Sequence, residues 1–256
     1  MVRTIFILGL LAISLAAPGA YAQSPPAAAA PTAANPVDPA AVQALKDMGA
    51  FLQTLTRFQV TSEVTGERVL ADGQKLQHTA TAKLDVVRPN KLRAVMSSPR
   101  SHRDLFYDGK TVTLYAPAQK YYSTAEFTET LGGLIDKLEA RYGVQIPLSD
   151  LFLWGTPAAQ VDNFESAMNA GQDIVGGQIC DHFAFRQGNI DWQIWIATGG
   201  KPLPRKIVIT NRADEARPQS VTMISWNLKP TFTDSVFKFT PPAGSTRIEI
   251  LPRKAQ

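Results

Sequence analysis

The spacing of apolar residues along this chain switches between two periods. From Pro39 to about Leu55 they recur every three to four positions. Val42, Leu45, Met48, Leu52 and Leu55 share a stripe, and Asp38-Pro39 ahead of them supplies a cap and a first helical residue. The period then falls to two. Phe58, Val60 and Val64 alternate with Gln59, Thr61, Glu63 and Thr65. The turn Ala71-Asp72-Gly73-Gln74 leads into a second strand over Lys75–Val87. Leu92, Ala94 and Met96 begin a third strand. Asp104–Tyr107, Thr111–Tyr115 and Lys120–Thr124 follow, separated by Asp108-Gly109 and Pro117-Ala118.

Helical spacing returns with Leu131, Leu134, Ile135 and Leu138, after a cap at Thr128 and before a stop near Gly143. Leu148, Leu151, Phe152 and Trp154 predict a second short helix, and Pro157–Met168 is expected to hold more. Alternation resumes over Gln172–Ile179, Cys180–Gln187, Ile190–Thr198, Leu203–Asn211 and Ser220–Leu228. A last strand is placed near Val236–Phe239. The count is about ten or eleven strands, within the range of one large antiparallel sheet.

Strand parity says what that sheet must do. Trp192, Ile194 and Ile196 share one face, and Asp191, Gln193 and Trp195 share the other; Ile224, Trp226 and Leu228 again share a face. A sheet apolar on one side has to cover that side, and only a few helices are available. Two outcomes stay open on the residues alone: a fully packed core, which they favour, or an apolar hollow under the helices.

Composition and charge narrow the setting. Met1-Val2-Arg3, the apolar run Ile5–Leu15 and Ala20-Tyr21-Ala22 have the order of a secretory signal peptide cleaved before Gln23. The expected organisation is a signal peptide over 1–22, an Ala/Pro-rich flexible linker over 23–37, and one domain over 38–256. The expected location is the periplasm. The formal net charge of +4 loses Arg3 with the leader, and the remaining basic residues are scattered, which argues against nucleic acid as a partner. The single cysteine, Cys180, excludes an intrachain disulfide and reads as a small buried group.

Catalytic chemistry is hard to find. His78, His102 and His182 are dispersed, with no metal-ligand spacing, and His182 reads as a surface or rim residue. No nucleophile elbow, Walker loop or G-x-G-x-x-G turn occurs. Asp214-Glu215, between Arg212 and Arg217, reads as a solvated turn. No catalytic residue, cofactor or metal is assigned, and the chain is not expected to be an enzyme.

Three segments, in order, carry a resemblance: "VRPNKLRAVMSSP", "DLFYDGKTVTLYAPAQK" and "FKFTPPAG", spanning Val86 to Gly244. They resemble the periplasmic outer-membrane lipoprotein carriers of the LolA/LolB type. The stretch "ICDHFAFRQGNIDWQIWIATGGKPLPRKIVIT" looks closer to relatives of that group known as predicted periplasmic proteins of unknown function. The resemblance implies an α+β fold, a curved antiparallel sheet forming an incomplete β-barrel covered by helices, and a hollow that holds acyl chains. Two features depart from the carriers: Ala94 stands near a position they fill with an aromatic residue, and the helical insert between Phe127 and Ala170 is enlarged.

On that basis the expected function is non-enzymatic binding or carriage of a lipid, a lipoprotein acyl anchor or another hydrophobic ligand. The alternative is an envelope structural or interaction module with a filled core. A membrane-associated envelope protein is a further candidate partner. Leu131, Ile135, Leu138, Phe152 and Trp154 from the helices, and Trp192, Ile194, Ile196, Ile224 and Trp226 from the sheet, are the expected cavity lining. In the carriers, the arginine of Arg-Pro-Asn reaches backbone carbonyls of the covering helices. Arg88 matches it and is the expected lid latch.

Overall fold

The computed structural model describes residues 36–159, 161–250 and 252. The signal peptide, its cleavage site and nearly all of the linker expected from the sequence lie outside them. Helix α1 (Pro39–Thr54) opens the described chain. The Asp38 side chain accepts from the Ala40 amide at 2.9 Å, and Ala41, Leu45, Met48 and Leu52 form its buried stripe.

Six strands follow as an antiparallel meander: β1 (Arg57–Val69), β2 (Lys75–Val87), β3 (Lys91–Ser98), β4 (Ser101–Tyr107), β5 (Thr111–Ala116) and β6 (Tyr121–Glu126). Helices α2 (Leu131–Tyr142) and α3 (Asp150–Leu153) interrupt it. A second meander comprises β7 (Ser166–Val175), β8 (Gln178–Gln187), β9 (Ile190–Ala197), β10 (Pro204–Asn211) and β11 (Gln219–Asn227). β11 then pairs with β1, so the two meanders join into one sheet of 12 strands. Its edges are β7 and the short β12 (Thr246–Arg247), which runs parallel to β6. No pairing between those edges occurs among the described residues, and the sheet is an open half-barrel.

The parity read from the sequence is the parity observed. Val60, Leu84, Ala94, Leu105, Ile194, Ile196, Ile207 and Ile224 join the buried stripes of α1, α2 and α3 in one core on the concave face. Trp195 points the other way, into a small convex cluster with Val175, Cys180 and Val208.

Several expectations needed correction. The hairpin placed at Ile179/Cys180 turns instead at Gly176-Gly177, both with positive φ (57° and 77°), which suits a two-residue turn. Pro157–Met168 holds no helix among its described residues, and β7 begins at Ser166. The cap of α2 is Thr130, whose hydroxyl accepts from the Gly133 amide at 3.4 Å, rather than Thr128. The last strand expected at Val236–Phe239 is a 3-10 turn, Asp234–Phe237, that buries Phe237. Its ladder partner is missing because Phe239 turns back to pack against Phe106, Tyr115 and Tyr122 at 5.1–5.3 Å between ring centres.

Candidate functional site

The helical cover is fixed to the sheet through one turn. After β2, the Pro89 carbonyl accepts from the Leu131 amide at 2.9 Å, anchoring the start of α2. The neighbouring Arg88 points at α3: its Nη2 donates to the Leu151 carbonyl at 3.4 Å, and its guanidinium lies 5.8 Å from the Phe152 ring centre. Burial holds this guanidinium below its ordinary arginine value, and its Nε is buried with no hydrogen-bond partner among the described residues. Tyr107, on β4, supports the same layer by donating its hydroxyl to the Glu129 carbonyl just ahead of α2.

The ten residues expected to line a hollow divide into two groups. Leu131, Ile135, Phe152, Ile194, Ile196 and Ile224 are buried in the continuous core, and Trp226 packs on it from the side, its ring 5.7 Å from that of Phe58. Leu138, Trp154 and Trp192 instead border open space, in two clefts on either side of the packed centre.

The first cleft, about 490 Å³, lies between the C-terminal half of α2 and strands β4–β6. Leu105, Val112, Leu114 and Ala125 form its floor, and Leu138, Tyr142 and Val144 form one wall. The C-terminal segment forms the other wall. After Phe239 on the convex side, the chain passes the β6 edge as β12 and brings Ile248 and Ile250 against the concave side. The second cleft, about 310 Å³, is bounded by Leu153, Trp154 and Val161 against Phe164, Trp192 and Ile207. Asp150 stands at its rim. Burial, then the charge of Glu139, pushes that carboxyl above the usual carboxylate range although the residue keeps an exposed edge.

Reasoning from sequence missed the C-terminal wall. Its signal was the alternation in "TRIEI", Thr246 to Ile250, which places Ile248 and Ile250 on one side. The histidines occupy three strands, β2, β4 and β8. His182 is half-buried on the convex side, where it stacks on Trp195 at 4.0 Å and shares a hydrogen bond of 2.9 Å with Gln193. No cluster of three or more His, Cys, Asp or Glu side chains able to hold a metal occurs among the described residues.

The described residues define a class of fold: an open antiparallel half-barrel with helices on its concave face and clefts at their margins. The chain belongs to the predicted periplasmic protein family DUF2092, which it matches over residues 41–251. Among solved structures it is similar to the lipoprotein LppX of Mycobacterium tuberculosis, with 13% identity and a TM-score of 0.48, covering 76% of this chain and 98% of that one. It is similar to LprF of Mycobacterium bovis at 13% identity and TM-score 0.40, covering 83% and 100%. A LolA superfamily protein of Nitrosomonas europaea matches at 10% identity and TM-score 0.36, covering 78% and 97%. No curated protein matches the chain.

Proposed function

We propose that this protein is a non-enzymatic periplasmic binding or carrier protein for a lipid or lipid-like molecule, released after cleavage of residues 1–22. The observation that carries this reading is the first cleft: about 490 Å³, lined mainly by apolar side chains with Ser123, Thr124, Arg247 and Glu249 among them, and bounded by a helix and a terminal segment as well as by the sheet. Pockets of roughly 300–1,000 Å³ are typical of small-molecule sites. The driving force is solvent exclusion, about 0.8 kcal/mol for each methylene moved out of water. Arg88 acts as the latch of the helical cover in this reading. Its single long bond to Leu151 holds α3 yet is cheap to break.

A second reading, an envelope interaction module without a ligand, is favoured by the continuous packing of Leu131, Ile135, Phe152, Ile194, Ile196 and Ile224. Organic-solvent extraction of protein purified from its native envelope, followed by mass spectrometry, separates the two. A stoichiometric acyl-containing species supports the carrier reading. Clean protein that also fails to bind a fluorescent fatty acid supports the module.

A further inference from the structure

The concave face changes character along the strands. Leu92, Tyr107, Val112 and Ala125 lie side by side across β3–β6 as the deepest row. Ala94, Leu105, Leu114 and Ser123 form the next row outward. Beyond it, Met96 faces Arg103, and Ala116 faces Tyr121. Arg103 lies two residues from Leu105 and four from Tyr107 on one strand, so it shares their apolar face. Arg103 stands at the exposed end of that face, where the buried row gives way to solvent.

The space around it continues the first cleft. A groove of about 520 Å³ shares Leu114, Ser123, Ile248 and Ile250 with the cleft and adds Arg100, Ser101, His102 and Arg103. Among the described residues no Asp or Glu lines this groove, and Glu249, in the first cleft near Arg247, is the one carboxylate of the combined lining. The His102 ring is engaged by Asp104 at 3.0 Å, and the nearby Arg93 is paired with the same carboxylate at 2.8 Å. The Arg100 and Arg103 guanidiniums make no ion pair and no hydrogen bond among the described residues. The combined site is mainly apolar at one end, where Arg247 and Glu249 stand among its walls, and at the other carries two exposed arginines that make no ion pair among the described residues.

We infer that the ligand is an anionic amphiphile: an acyl chain in the first cleft, with its carboxylate or phosphate head held by Arg103 and Arg100. This rests on the carrier reading of that cleft and extends it to the chemical class of the ligand. A guanidinium fork suits either head group, because both present paired oxygens to its fixed donors.

The test titrates the lipid-stripped mature protein with cis-parinaric acid and with its methyl ester, which have the same chain and differ in head charge. At neutral pH and low salt the acid binds on the order of tenfold or more tighter, the gain expected of charge-assisted hydrogen bonds. Added salt narrows the gap. The double substitution Arg100→Gln/Arg103→Gln abolishes the preference for the acid, whereas Arg68→Gln, which removes an exposed charge on β1, preserves it. Competition between oleate and lysophosphatidylglycerol then assigns the head as carboxylate or phosphate. Equal wild-type affinity for acid and ester, or a preference that survives the double substitution, overturns the head-group assignment while leaving the cleft a lipid site. Binding of neither probe removes the carrier reading and this inference together. The wild-type salt dependence tests the same point without any substitution.

Discussion

Gly49 of α1 and Gly155 beyond α3 meet backbone to backbone: a Cβ on Gly49 would stand 2.6 Å from the Gly155 amide nitrogen, and one on Gly155 would stand 2.4 Å from the Gly49 carbonyl oxygen. Gln53 reinforces the crossing by donating to the Trp154 carbonyl at 2.5 Å. This contact seats the α3 loop on α1.

Gly49→Ala is therefore expected to destabilise the protein. Alanine gains up to about 1 kcal/mol in helix propensity, but overpacking against backbone costs typically about 1–3 kcal/mol. Gly155→Ala should cost more, because its φ of 81° adds strain to the clash. Urea melts of the three proteins check the order wild type, Gly49→Ala, Gly155→Ala. A Gly49→Ala protein more stable than wild type would show that the crossing opens freely.

Arg88→Leu retains bulk and removes every donor to Leu151. The fold should survive, since β2 and β3 stay paired beside it from Val87↔Lys91 to Thr81↔Ser97. Stopped-flow release of a bound fluorescent fatty acid should accelerate severalfold, and hydrogen exchange at α3 should rise. Unchanged rates in both measurements would reduce Arg88 to a turn residue.

Ser123→Phe places a ring in the first cleft from a half-buried strand position. Phenylalanine suits a strand, so the melting temperature should stay within a few degrees while probe affinity falls on the order of tenfold or more. Wild-type affinity in this variant would move the site elsewhere, with the second cleft next to be tested by Ala158→Phe.

Tyr107 predicts the alkaline limb of stability. Burial raises its phenol above the ordinary value. A folded value above the unfolded one, about 10, means that stability is fully present below pH of about 10 and is lost as pH rises through the folded value. Tyr107→Phe should lower stability at neutral pH by about 1 kcal/mol through the lost hydrogen bond. It should also flatten the decline above pH of about 10. Denaturant melts across that range give both quantities.

How much of this was legible depended on how local the cause was. α1 could be read because its cap, its proline and its stripe all lie together between Asp38 and Thr54. The inward faces of β9 and β11 could be read because parity survives any error in strand ends. The Gly176-Gly177 turn was visible in the letters, but alternation appeared to run through Ile179, and Ile174 and Ile179, both exposed at the hairpin tip, gave the pattern no burial to obey. The strand expected over Val236–Phe239 failed for a non-local reason: Phe239 is claimed by aromatic rings on β4, β5 and β6. The filled centre and marginal clefts were the least legible, because they depend on how far three helices descend into the sheet. Arg88 was placed through resemblance to a family, and its reach toward Leu151 is a geometry that no spacing encodes.

The pairing of β1 with β11 bears on how the molecule is born. Gln59 through Gly66 meets Asn227 through Ser220, so the first strand completes its hydrogen bonding only with nearly the last. A chain emerging amino end first can zip β1 to β6 as a local meander, yet one side of β1 stays bare until more than half of the domain has followed. Such closure is slow, because loop entropy is lost before the contact rewards it. During that interval the bare edge of β1 is a template for any passing strand. The half-finished sheet, with that edge of β1 bare, is thus the stage of folding most open to misassembly.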